Sequence, residues 1–195
     1  MREQTQNLYW SLDVGLVHFV AFDTELYFFD TRQRQQQMEA WLRADLQRAN
    51  ANRGAVPWVI AFGHRPLYCT ATTDDSADEC DPRTNRLRAH LEQIFCEGGV
   101  DLVIGAHMHD YERTLPVYEG KVIAMSGDPF DNPPVPVYVL SGAAGCQEDL
   151  DRFKNHSAQP WTAYRNSMYG IGLMTITNAS HLTYSQYAAA NGPNA

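Results

Sequence analysis

The chain has no long apolar run, and none of its hydrophobic stretches reaches the ~18 residues needed to span a membrane. It is also poor in basic charge. Fifteen Lys and Arg stand against 23 Asp and Glu, for a net charge of -8 and a pI of about 5.2. That balance argues against a nucleic-acid surface, which needs clustered positive charge. The nearest approach to a cluster is Arg32, Arg34, Arg43 and Arg48, spread along a Gln-rich segment among acids and read as a solvated helix face. Residues 1–6 are polar, so the start lacks the apolar core of a secretory signal. No internal repeat, heptad run or low-complexity tract stands out beyond the glutamines at 35–37.

Cysteine is scarce. Cys69, Cys80, Cys96 and Cys146 allow two disulfides in three connectivities. Cys69 and Cys80 bracket a polar, acidic loop and are the expected pair, whereas Cys96 falls in a helical pattern and reads as a buried thiol. Two glycosylation sequons occur, at Asn155-His156-Ser157 and Asn178-Ala179-Ser180. These features point to the secretory route, while the start carries no signal. The conflict predicts that the chain is not a complete natural protein, with Met1 an internal methionine or the start of a shortened gene or transcript.

A length of 195 residues suits one domain, or one domain and a small appendage, and a hydrophobic fraction of 44% is enough for a core. Residues 8–13 and 16–22 read as a hairpin around Val14-Gly15, and residues 26–29 as a short aromatic stretch. Met38, Trp41, Leu42 and Leu46 keep helical spacing and predict an amphipathic helix over 34–50. Leu87, Leu91, Ile94 and Phe95 predict a second helix, stopped at Gly98-Gly99. Apolar runs at 58–62 and 100–104 read as buried strands, so the middle of the chain alternates α-β-α-β. Farther on, strands are expected at 114–118, 121–125 and 137–140, with a closing hairpin of 172–177 and 181–187.

Three histidines leave the ends of the two central strands through glycine-containing turns. Gly63-His64-Arg65-Pro66 follows the first, and Gly105-Ala106-His107-Met108-His109-Asp110 follows the second. Loops at the carboxyl ends of sheet strands are where α/β folds place chemistry. Neutral imidazole is the commonest protein metal ligand. A lone histidine would be read as a loop cap or a satisfied core group; three in matched positions point to metal.

Together, Ala61-Phe62-Gly63-His64-Arg65-Pro66 and Gly105-Ala106-His107-Met108-His109-Asp110-Tyr111-Glu112-Arg113 resemble the metallophosphoesterases, and more closely the long, animal-type purple acid phosphatases. Tyr9-Trp10-Ser11-Leu12-Asp13-Val14-Gly15, Phe22-Asp23-Thr24-Glu25 and Val137-Tyr138-Val139-Leu140-Ser141-Gly142-Ala143-Ala144-Gly145-Cys146 resemble that family too, in the expected order. The resemblance covers residues 7–187. It implies an α/β fold, a four-layered β-sandwich flanked by helices, of which this chain would be a partial, C-terminal version. Residues 7–125 would belong to the catalytic domain, 126–187 to the family's C-terminal segment and 188–195 to a frayed tail.

By the same resemblance, His64 and His107 would bind the divalent metal and His109 the ferric ion of a binuclear centre, iron with zinc, manganese or a second iron. These three would act catalytically through the metals, with Tyr111, Glu112 and Arg113 as support around the loop. The reaction implied is hydrolysis of small phosphate monoesters at acidic pH, in a secreted or lysosomal glycoprotein, with no nucleic acid or membrane as partner and a homodimer as a compatible assembly. Hard ferric iron wants anionic oxygen ligands. The family's aspartate, tyrosine and asparagine motifs for these, Gly-Asp-x-x-Tyr and Gly-Asn-His-Glu, do not occur in this sequence. Asp74 stands where some plant relatives carry a phosphate-holding histidine. The chain alone is therefore expected to have an incomplete site and little activity. An inactive form, a secreted binding protein holding one zinc through His64 and His107, and a phosphodiesterase or nucleotidase are the other readings.

Overall fold

Helix and sheet meet across one layer of apolar side chains. In a computed structural model, which describes residues 7–71, 80, 85–145, 147–153 and 157–189, β1 (Trp10–Val14) and β2 (Val17–Ala21) form the expected hairpin. A single helical turn α1 (Leu26–Phe29) and the long helix α2 (Arg32–Ala51) follow. Thr31 caps α2 by accepting from the Arg34 amide, and Met38, Leu42 and Leu46, one turn apart, are fully buried against the sheet. Burying each such side chain is worth roughly 1.5–3 kcal/mol, which adds to the good helical preference of a segment rich in Gln, Arg and Ala. The aromatic stretch at 26–29 is thus helical: Tyr27 turns inward, and the amides of Phe28 and Phe29 bond back to Glu25.

Strands β3 (Trp58–Phe62), β4 (Leu102–Gly105) and β8 (Val137–Ser141) lie parallel to β2. Strand β5 (Tyr111–Thr114) runs antiparallel to β8 and to β9 (Thr162–Asn166). The seven-stranded order is β1-β2-β3-β4-β8-β5-β9. The second helix begins as a π-helical turn (Arg88–Glu92) before α3 (Gln93–Glu97). The strand predicted over 114–118 splits: β5 ends at Thr114, Pro116 has no amide hydrogen for the ladder, and the chain restarts as the small hairpin β6 (Val117–Tyr118) and β7 (Lys121–Val122). Tyr111, Glu112 and Arg113 therefore belong to a strand, and β9 is an element that the sequence reading did not anticipate.

Alternation along the strands builds two cores. Val59, Ala61, Val103 and Tyr138 face the helices, together with Leu91, Ile94 and Phe95. Ile60, Leu102, Tyr111 and Val139 face the opposite side, where the hairpin β10 (Gly170–Ile176) and β11 (Leu182–Ala188) packs through Met174, Ile176, Leu182 and Tyr184. The architecture is α/β, as expected, with one large sheet, helices on one face and a two-stranded hairpin on the other. Cys69 and Cys80 form a disulfide, and Cys96 carries a free thiol. Among the described residues, no helix is long and apolar enough to cross a membrane. Asp74, Cys146 and the sequon asparagine Asn155 lie outside the described residues; Asn178 sits in the turn between β10 and β11.

Candidate metal centre

The loops after β3 and β4 are tied to each other before any side chain is considered. The Gly63 amide donates to the Ile104 carbonyl at 3.1 Å, and the Ala106 amide donates to the His64 carbonyl at 2.8 Å. These bonds bring His64 and His107 together from positions 43 apart in sequence. His107 holds a left-handed backbone, φ 70°, which is uncommon for a side chain of its size. The end of β8 presses on the same turn. A Cβ on Gly142 would stand 1.9 Å from the Met108 carbonyl oxygen, so the turn is fixed by backbone contact that only glycine permits.

His107 Nδ1 and His64 Nε2 face each other at 3.0 Å, with ring centroids 4.8 Å apart. The Arg65 Nη1 donor lies 3.1 Å from His107 Nε2. Arg65 is itself held by a two-pronged pair with Glu25, at 2.7 and 3.2 Å, and stacks over the Phe28 ring at 4.4 Å. A guanidinium donates and never accepts. The His107 Nε2 facing it is therefore bare, the proton sits on Nδ1, and that proton points at a bare Nε2 of His64. Burial works against the Glu25 carboxylate, but the Arg65 hydrogen bonds outweigh it and hold its pKa below the usual value.

His109 goes elsewhere. Its amide donates to Asp151 Oδ2 at 2.6 Å, its Nδ1 lies 3.1 Å from the Asp149 carbonyl oxygen, and its Nε2 lies 3.9 Å from Glu148 Oε2. An Nδ1–H given to a carbonyl places the ring's lone pair on Nε2, the usual arrangement of a metal-binding imidazole. The structure thus brings His64 and His107 into contact and places His109 in a separate set of contacts. Among the described residues, no three His, Cys, Asp or Glu side chains are grouped to hold one ion.

Residues 7–111 match the family model described as calcineurin-like phosphoesterase. The chain belongs to the calcineurin-like phosphoesterases. Residues 135–194 match a second model, described as iron/zinc purple acid phosphatase-like protein C, so the purple acid phosphatases are the branch it resembles. Human "Acid phosphatase type 7" is 38% identical over 95% of this chain and 44% of its own length. "Purple acid phosphatase 18" of Arabidopsis thaliana is 28% identical over 92% of the chain and 36% of its own length. The solved structure of the purple acid phosphatase PPD1 from yellow lupin seeds superposes with a TM-score of 0.73 at 22% identity, covering 95% of this chain and 31% of that one. The chain spans less than half the length of the curated relatives it matches.

A phosphoesterase of this branch implies an iron-containing pair of metals, and the side chains can be tested against it. Two nitrogens bound to one ion at about 2.1 Å each stand roughly 3.0–3.4 Å apart. The 3.0 Å between His107 Nδ1 and His64 Nε2 therefore fits two ligands of a single borderline divalent ion. For a hard trivalent ion, His109 offers one nitrogen, and among the described residues no carboxylate joins it in a three-member group. Among the described residues, the donor set fits one ion and not a pair.

Beside the histidines, Asp110 had no role expected from sequence, while Glu112 was expected as support around the loop. Asp110 is fully buried, and its carboxyl oxygens have no hydrogen-bond partner among the described residues. Burial, with Glu112 and Asp151 adding repulsion and Arg165 opposing, pushes its pKa up to about 9, so it is a neutral acid at pH 7. Glu112 takes the Thr70 amide at 2.5 Å and the Thr70 hydroxyl at 2.6 Å, which ties the loop after β3 to β5. The Glu25–Arg65 latch carried a weak signal in sequence, the arginine directly after His64, but its partner lies 40 positions away.

Proposed function

We propose that this chain supplies the divalent-ion histidines of a metal-dependent acid phosphatase acting on phosphate monoesters. The observation that carries this reading is the convergence of His107 Nδ1 and His64 Nε2 at 3.0 Å from two strand-end loops. An ion bound there would contribute positive charge against a phosphate dianion. The chain's own residues do the rest. His64 and His107 present two bare lone pairs once the shared proton leaves, β3 and β4 hold them rigid, and Arg65 adds a fixed positive charge beside them. The finer identity of the ions, iron with zinc, manganese or iron, follows the resemblance. The Cys69–Cys80 disulfide supports a secreted or lysosomal setting.

Metal content of the purified chain, together with hydrolysis of p-nitrophenyl phosphate at acidic pH, tests the proposal. Retention of one divalent ion, abolished by His107→Ala, is the expected result. A chain that binds no ion under zinc or manganese loading sinks it. A second reading is favoured by the lack of a three-ligand group among the described residues: the chain by itself binds one ion and turns over little substrate. Robust, metal-activated turnover by these 195 residues would refute that second reading and leave the first intact.

A further inference from the structure

Another cluster of ionisable side chains lies at the opposite end of the sheet. His18 pairs in register with Val59, at the amino end of β3, whereas His64 leaves that strand's carboxyl end. The His18 side chain is 11% exposed, and both of its ring nitrogens meet a carboxylate. Nδ1 lies 2.5 Å from Asp13 Oδ1 on β1, and Nε2 lies 3.0 Å from Asp45 Oδ2 on α2. Asp45 also accepts from the Ser11 hydroxyl at 2.9 Å and from Arg48 Nη2 at 2.6 Å. Val59 on β3 adds no charge. These groups, with Ala49, Asn52 and Val56, line a cleft of about 380 Å³ between the edge hairpin and α2.

Ionised carboxylates accept hydrogen bonds and cannot donate them. A ring that bonds two of them at once must carry both protons, so this histidine is an imidazolium. Its loss of one proton would leave a ring lone pair facing a carboxylate oxygen, and the contact would turn from attraction to repulsion. We propose that His18 is a pH-operated clamp: as an imidazolium it ties edge strand β1 to helix α2 through Asp13 and Asp45, and on losing a proton it releases the Asp13 end of the strand and widens the cleft. The direction of titration agrees with the geometry. The Asp45 hydrogen bond raises the His18 pKa above its usual value against the opposing effect of burial, and Asp13 raises it further. Burial raises the Asp45 pKa, but its bonds to His18 and Ser11 outweigh that and bring it below its usual value.

The sign follows from linkage. A histidine whose pKa is raised by folding adds stability that is fully present below its unfolded value of about 6.5 and is lost as pH rises through its folded value. The clamp is therefore closed in acid and opens toward alkaline pH, so β1 is best held at the acidic pH at which an acid phosphatase would work.

Nitrogen-detected NMR of the imidazoles in the whole chain tests this. Both His18 ring nitrogens should be protonated at pH 6.5, with a midpoint above that of an ordinary histidine, and Asp13→Asn should lower the midpoint by about one unit. Asp13 is half exposed, at 51%, so that variant keeps the fold. In parallel, urea unfolding between pH 5 and 9 should fall more steeply with pH in the wild type than in His18→Gln. A singly protonated ring at pH 6.5, a midpoint that Asp13→Asn does not move, or equal pH slopes in the wild type and His18→Gln would each overturn the clamp.

Discussion

His107 and His18 are the same residue in two opposite chemical settings, one at each end of the parallel strands. His107 meets a cation and another imidazole, and its Nε2 is bare. His18 meets two carboxylates and carries both protons. The first arrangement turns two lone pairs toward an ion once the Nδ1 proton leaves. The second uses every nitrogen and leaves nothing for a ligand. A histidine's neighbours, and not its exposure or the strand that carries it, decide whether it is a binding group or a structural charge.

The sharpest way to break that comparison is to remove a charge on the His18 side. Asp45 has 2% of its side chain exposed and holds His18, Arg48 and Ser11 together. Its loss leaves the His18 cation between β2 and α2 with the half-exposed Asp13 as its one remaining carboxylate. Asp45→Asn should cost about 3 kcal/mol of stability, the range expected when one partner of a buried pair is removed. Urea denaturation at pH 6 measures it. Divalent-ion binding by His64 and His107 should be unchanged, because the two sites sit at opposite ends of the strands. A stability loss below about 1 kcal/mol would show that the two carboxylates were not opposing a full imidazolium charge.

The two histidine sites also differ in how much of them could be read from sequence. His64, His107 and His109 were found because each follows an apolar run and a glycine, a local pattern that needs no knowledge of what packs where. The strands β3, β4 and β8 and the helix α2 were legible for the same reason, since their periods of apolar residues are local. His18 sits inside the β2 strand with nothing local to mark it. Its partners are 5 and 27 positions away, and Asp45 is an acid buried beside the apolar face of a helix read as amphipathic. The Glu25–Arg65 latch spans 40 positions and was missed on the same grounds. Strand β9 was missed because its sequence, TAYRN, is polar and half-exposed at an edge of the sheet, where packing demands little of it. The split at Pro116 was visible as a residue but was read as strand interior, against the rule that proline interrupts a ladder.

A second test acts on the His107 side. The proton on His107 Nδ1 is fixed there because Arg65 fills the approach to Nε2. An ion held between Nδ1 and His64 Nε2 must displace that proton, and it must also tolerate a guanidinium charge nearby. Both effects oppose uptake. Arg65→Ala should therefore raise the affinity for zinc by about tenfold, equivalent to one pKa unit of relief. Zinc titration calorimetry of the whole chain reads it. A fall in affinity would show instead that Arg65 acts by holding His107 in place, as outer-shell partners of metal ligands commonly do.

The smallest expected effect separates these two accounts of Arg65. Phe28 lies under the guanidinium at 4.4 Å, and Glu25 holds it from the side. Phe28→Leu keeps an apolar side chain and the ion pair but removes the aromatic face, a loss of about 0.5–1 kcal/mol of cation–π attraction. The charge beside His107 stays, while its position loosens. If Arg65 opposes the ion through charge, zinc affinity in Phe28→Leu should stay within about twofold of the wild type, since one carboxylate pair still fixes the guanidinium. If Arg65 works by orientation, the same change should weaken zinc binding in proportion to the freedom it gains. The two variants together assign the sign: Arg65→Ala up and Phe28→Leu flat means charge, and both down means position.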